Sequence, residues 1–145
     1  MITIGNLYED GIDNNLKRYA IVRTIKGNQE LYDEQESLLS PSISLLNLVN
    51  NLRKNGNWNK ETFNRYYVPN FLYEMKARDK RKRLTEIYKE GINSNIILLC
   101  HCSEEELCHR SIIAGFLQGA AKETGIELVN CNNDYSEYYN MFRKL

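Results

Sequence analysis

Three of the four cysteines and both histidines fall between positions 100 and 109, as Cys100-His101-Cys102 and Cys108-His109, with Arg110 directly after. A thiolate is a nucleophile and a soft metal ligand. An imidazole is an acid/base group or a ligand near neutral pH. A guanidinium fork holds phosphate in two places at once. Four chemistries compete for this cluster. A cysteine-phosphatase loop needs five residues between cysteine and arginine, whereas seven separate Cys102 from Arg110 and three of them, Glu104 to Glu106, would repel phosphate; that reading is set aside. A zinc site on Cys100, Cys102 and Cys108 with His109 or His101 has suitable ligand types but no paired C-x2-C spacing. A phosphate- or nucleotide-recognising pocket would use Arg110 and Arg23 as anion clamps, His109 as donor or acid/base, and the thiols as liners. In plain packing the cysteines would act as small apolar groups, with His109 on the backbone and Arg110 paired to Glu104 or Glu106.

Position decides in favour of a site. The apolar run Ile96-Ile97-Leu98-Leu99 immediately precedes the cluster and reads as a buried strand, Ile96 to Cys100. In an open α/β sheet, ligands bind just beyond the carboxyl ends of strands. A helical pattern follows, ending at Gly125. Its start has two versions. Ser103 with Glu106 forms a capping box for a helix from Ser103 to about Thr124, or a short acidic turn precedes a helix from near Cys108, which would put Cys108 to Ser111 at an anion-binding N-terminus.

The other elements follow from pattern. Met1 to Ile4 reads as a strand stopped by Gly5-Asn6, and Asp10 to Leu16 as a short helix or loop. Tyr19 to Thr24 reads as a second, doubly covered strand with Arg23 at its carboxyl end. A long connection from Lys26 leads to a helix capped by Ser40, with Pro41 at its first position. Phe63, Tyr66 and Tyr67 form an aromatic stripe that reads as core, not as a cofactor cage, and that Pro69 ends. Phe71 to Tyr88 is one long helix, or two broken near Arg78. Ile126 to Val129 is the last strand, and Asp134 caps a tail helix. Strands alternating with helices imply one α/β domain over residues 1 to 145, with a mostly parallel sheet and right-handed crossovers.

Nineteen basic and nineteen acidic side chains cancel, so no global field draws nucleic acid. The run Lys76 to Arg83 is the local exception. Lys80, Arg81, Lys82 and Arg83 would be its contacts to a polyanion, although a solvated helix face is the commoner origin of such a run. No apolar stretch reaches the roughly 20 residues of a membrane helix. The start, Met1-Ile-Thr-Ile-Gly, lacks the pattern of a secretory signal. A reducing, cytoplasmic setting is therefore expected, with clustered cysteines belonging to a site and not to a disulfide framework.

Leu98-Leu99-Cys100 followed by Cys108-His109-Arg110 and a helix resembles the signature of the domain-of-unknown-function 488 (DUF488) family, LLC-x-E and then CHR. Ile21-Val22-Arg23, Leu39-Ser40-Pro41-Ser42 and the F-x-x-Y-Y segment Phe63 to Tyr67 fall in the same order. The resemblance implies a Rossmann-like domain with a pocket around Arg23 and the CHR loop, and no generally established reaction. Cys102 stands where that family usually carries glutamate.

The reading that follows is recognition or processing of a nucleotide-like, phosphate-bearing small molecule, with no cofactor. Cys108, His109 and Arg110 are the candidate catalytic residues. Arg23, Asn6, Cys100, Cys102 and Ser111 are the candidate ligand contacts. Its rivals are a non-catalytic protein that sequesters a nucleotide or touches nucleic acid through the basic helix, and a metal module on Cys100, Cys102, Cys108 and His109.

Overall fold

An apolar run with no polar face needs cover on both sides, and Ile96–Cys100 obtains it as the central strand of the sheet, buried at every position. The computed structural model describes residues 1–13, 15–25, 27 and 29–145. In chain order the elements are β1 (Ile2–Asn6), α1 (Leu7–Asp10), β2 (Lys17–Ala20), β3 (Glu34–Gln35), α2 (Ile43–Lys54), α3 (Lys60–Thr62), α4 (Val68–Glu74), α5 (Arg78–Asn93), β4 (Ile96–Cys100), α6 (His109–Thr124), β5 (Val129–Asn130) and α7 (Glu137–Arg143). The strands lie in the order β3-β2-β4-β1-β5 and every pairing is parallel. The fold is Rossmann-like α/β, and all its strand carboxyl ends share one edge. No helix among the described residues is long and apolar enough to cross a membrane.

Several boundaries differ from expectation for local reasons. β1 runs on through Gly5 and Asn6, which stay paired with Leu99 and Cys100 of β4, and the absence of a side chain at Gly5 leaves room for Asp10 of α1, whose Cβ lies 3.0 Å from where one would stand. Asn6 then caps α1, accepting from Tyr8 N at 2.9 Å. β2 stops at Ala20, short of Thr24: Ile21 N still reaches Leu99 O at 2.9 Å, but β4 ends one residue later. Lys26, where the long connection was to begin, lies outside the described residues. Further along, that connection holds the edge strand β3, whose two polar residues, Glu34 and Gln35, carry no strand signal. Backbone bonds hold it to β2, with Asp33 N on Arg18 O and Glu36 N on Ala20 O, each at 2.8 Å.

Ser42, not Ser40, caps α2, accepting from Leu45 N at 3.1 Å while its own hydroxyl donates to Glu74 at 2.5 Å. Ser40 instead closes the 3-10 turn Ser37–Leu39. Pro69 does not end the aromatic helix. A π-helical turn, Phe63–Tyr67, shifts the bonding so that Val68 N reaches Phe63 O, and proline is accommodated in the first turn of α4. α4 and α5 are separate helices, as in the broken version. β5 holds Val129 and Asn130 only, since Ile126 N folds back onto Ala121 O behind the left-handed cap Gly125. α7 starts after Ser136, with Asp134 accepting from Ser136 N at 2.9 Å. One continuous core joins the sheet to α2, the aromatic turn, α4, α5 and α6.

Candidate functional site

Parallel strands deliver Asn6, Arg23 and Cys100 to the same edge, and the register that sets Asn6 beside Cys100 fixes the level of the site. From Cys100 the chain turns through His101 and Cys102 and passes a 3-10 turn, Glu105–Leu107. It enters α6 at His109, with Cys108 as N-cap. The later helix start is therefore the one adopted. The Ser103–Glu106 capping box does not form, and the neighbouring Glu105 carboxylate is drawn outward to the Tyr135 hydroxyl at 2.5 Å.

This path folds the two halves of the motif onto each other. The sulfurs of Cys100, Cys102 and Cys108 all lie within 4.8 Å of one another. Cys100 Sγ is 3.7 Å from Cys102 Sγ and 3.7 Å from His109 Nδ1, and Cys108 Sγ is 3.7 Å from the same nitrogen. His109 Nε2 lies 2.7 Å from Ile21 O. A carbonyl only accepts, so Nε2 carries the hydrogen. Burial holds the imidazole pKa below its usual value, and the neutral ring turns the Nδ1 lone pair toward the thiols. Behind it Phe71 packs at 5.6 Å between ring centroids. The early end of β2 is what leaves the Ile21 carbonyl available.

Thiol hydrogen bonds from Cys102 and Cys108 hold the Cys100 pKa well below the ordinary thiol value, aided by the Cys102 backbone and the positive charge of Arg110, against the opposing effect of burial. Cys102 is pushed up, chiefly by its bond to Cys100, and Cys108 well up, chiefly by burial.

A cavity of about 350 Å³ opens over this cluster at the strand ends. Cys100, Cys102 and His109 line one side, Arg23 another, and Asn50, Arg53 and Trp58 the wall from α2 and the segment after it. Arg53 lies over the Trp58 ring at 5.6 Å, and both border a second hollow of about 330 Å³ above Cys102 and Ser103. Trp58 packs edge-on to Phe63 and Tyr67 at 5.8 and 5.9 Å, and Tyr67 stacks on Phe71. An aromatic column therefore runs from the rim to His109. The stripe read from the sequence as core does both jobs, except that Tyr66 faces outward. Trp58, Arg53 and Asn50 went unnoticed as site residues. Asn50 and Arg53 are exposed positions on α2 and Trp58 lies in the connection after it, so no motif or spacing marks them as convergent.

The remaining candidates are placed differently. Arg23 lines the pocket with Nε held by Pro41 O at 2.8 Å. Asn6 supports the loop from below, donating to Cys102 O at 3.0 Å. Arg110, expected as the second anion clamp, does not line the pocket: it is buried, donates from Nη1 to Cys102 O at 2.8 Å, and has no bond to Glu104 or Glu106. Ser111 is fully buried on Cys108 O. His101 spans Tyr8 and Thr24 O, at 3.2 and 3.1 Å, facing away from the thiols. In the basic run, Lys80 donates to Leu38 O at 3.0 Å and Arg83 pairs with Glu36 and Glu86, while Arg81 and Lys82 are exposed.

The family model of the active DUF488-N3 subclade, DUF488-N3a, matches residues 8–121. The chain belongs to the DUF488 family. That span includes Arg23, the aromatic column and every member of the thiol cluster, and it excludes β5 and α7 of this DUF488 protein. No curated protein and no solved structure matches the chain.

Proposed function

We propose that this DUF488 protein recognises and processes a nucleotide-like, phosphate-bearing small molecule in the pocket above the thiol cluster. One observation carries the reading: two guanidinium side chains, Arg23 and Arg53, and one indole, Trp58, share a cavity with the groups at the strand ends. Arginine forks suit phosphate, and an aromatic face suits any base. The volume lies near the small end of ligand pockets, about 300–1,000 Å³, which favours a mononucleotide-sized compound over an oligonucleotide. The description of the matched subclade as active supports a chemical step.

The test is a thermal-shift screen of nucleoside mono-, di- and triphosphates, followed by calorimetry and product analysis by mass spectrometry. A charge-assisted bond contributes about 1.5–3 kcal/mol, so Arg23→Ala or Arg53→Ala should weaken binding by roughly ten- to a hundredfold. Trp58→Ala should lose about 1–3 kcal/mol of stacking. A converted product supports processing, and recovery of the ligand unchanged would reduce the role to sequestration. No stabilisation by any phosphate-bearing compound would overturn the reading.

A further inference from the structure

The thiol cluster has the dimensions of a metal site, independently of what the pocket above it holds. A tetrahedral zinc ion with Zn–S of about 2.3 Å and Zn–N of about 2.0–2.1 Å separates its ligand atoms by roughly 3.8 Å for sulfur–sulfur and roughly 3.6 Å for sulfur–nitrogen. The corresponding distances here are 3.7 Å for Cys100–Cys102 and 3.7 Å from His109 Nδ1 to each of Cys100 and Cys108. All three sulfurs fit within 4.8 Å of one another, and His109, close to Cys100 and Cys108 but outside that distance from Cys102, would complete the set by a small shift toward it. His109 is already prepared as a ligand. Its Nε2–H is fixed by the Ile21 carbonyl, the outer partner that metal-bound histidines commonly have, and the free lone pair faces the sulfurs.

Charge supplies a second, independent argument. Arg110 is 4% exposed, its Nε is buried with no hydrogen-bond partner, and among the described residues no carboxylate pairs with it. A buried guanidinium without a counter-charge is costly. Three thiolates around a divalent ion carry a net charge of minus one, and Arg110, bonded through Nη1 to the Cys102 carbonyl, sits where it would neutralise them.

We infer that Cys100, Cys102, Cys108 and His109 form a closed zinc site that staples the end of β4 to the start of α6. Three sulfurs and one imidazole in a tetrahedron suit Zn²⁺, and four protein ligands leave no open position, so the role is structural. On binding, the three thiols release their protons to solvent and each sulfur donates an electron pair to the ion, with no change of oxidation state.

The experiment takes the full chain, reduced and stripped with a chelator, and titrates it with Co²⁺ and then Zn²⁺. The expected result is one Co²⁺ per chain with the intense visible bands of tetrahedral cobalt and sulfur-to-metal charge transfer, both removed by one equivalent of Zn²⁺. Cys102→Ser, at the half-exposed ligand, should weaken zinc at least tenfold, whereas Cys131→Ser, outside the cluster, should leave it unchanged. Arg110→Gln should weaken it about 10–100-fold, as loss of outer-shell support does. Folded wild-type protein that gives no tetrahedral cobalt spectrum, equal affinity in Cys102→Ser, or uptake of Cu⁺ but not Zn²⁺ would each overturn the assignment. No nucleotide enters the experiment, so its outcome is separate from that of the ligand screen.

Discussion

Gly115 and Gly119 occupy the same helix, and replacing either by alanine should force α7 away from α6. Both lie on α6 where α7 crosses it. A Cβ on Gly115 would stand 2.9 Å from the carbonyl carbon of Tyr135, closer still to its oxygen, and 3.1 Å from Tyr138 Cβ. Ordinary carbon contacts are about 3.5–4.0 Å, so backbone has to retreat. Retreat strains the bond from Tyr135 N to Gln118 at 2.8 Å and the Phe116–Phe142 contact at 4.7 Å. Overpacking costs about 1–3 kcal/mol and the weakened hydrogen bond about 1 kcal/mol. Better helix propensity returns about 1 kcal/mol. The net loss is about 2 kcal/mol, or roughly 8 °C in Tm for a chain of this size. At Gly119 the obstacle is Tyr139 from its Cβ outward, and a Cβ moves only with its backbone; α7 must retreat here too, and Gly119→Ala should cost a similar amount, about 2 kcal/mol. Urea unfolding with an unchanged m-value and a thermal melt read both. A Gly115→Ala or Gly119→Ala protein as stable as wild type would refute the reasoning that α7 cannot yield at these glycines without loss.

Burial, and then the bond to Glu105, raise the Tyr135 pKa above the usual tyrosine value. The folded chain therefore holds this proton more tightly than the unfolded one. The associated stability is complete below about pH 10, the unfolded value, and disappears as pH climbs toward the folded value. Tyr135→Phe should cost about 1 kcal/mol near neutrality, and its melting temperature should converge on wild type above pH 10. Asp33 behaves in the opposite sense: hydrogen bonds from the buried Arg18 lower its pKa. Its contribution is present above about pH 4 and fades as pH falls. Because the carboxylate side chain is 42% exposed, Asp33→Asn should cost only about 1 kcal/mol at pH 7 and nothing in acid, as melts across pH would show. Asn6→Ala removes both the α1 cap and the support of Cys102 O. A stability loss of about 1–2 kcal/mol and faster labelling of Cys102 by a disulfide reagent should appear together.

The parts of this fold that were legible in the sequence are those with one dominant physical cause. Ile96 to Cys100 has no polar face, so its place at the sheet centre and both its boundaries follow from the residues alone. Gly125 stops α6 at a φ of 69°. From these, the location of the site at the strand ends also follows. The side-chain directions do not. Arg110 turns inward to Cys102 O, because a three-residue 3-10 turn sets the helix start at His109 and so decides which side each motif residue faces. Trp58 and Arg53 reach the pocket because the end of α2 and the connection after it lie over the strand ends, a placement that no sequence period announces. β3 exists through backbone bonds to β2, and its own side chains do not announce it.

The order of the strands has a consequence for how the chain must be handled. β1 pairs with β4 and β5, matching Ile2 to Ile96 and to Val129, and β2 joins β4 at Lys17 and Ile96; only β2 and β3 are near neighbours in the chain. Such distant pairings make assembly slow compared with a helical bundle of equal length. Throughout that interval β4 has no partners, and Cys100, Cys102 and Cys108, grouped on one short span, stand in water as reactive thiols. Refolding yield should therefore depend on reductant more than on temperature or salt, since a disulfide formed within that span before the sheet closes would fix the loop in a shape that β1 and Ile21 cannot receive.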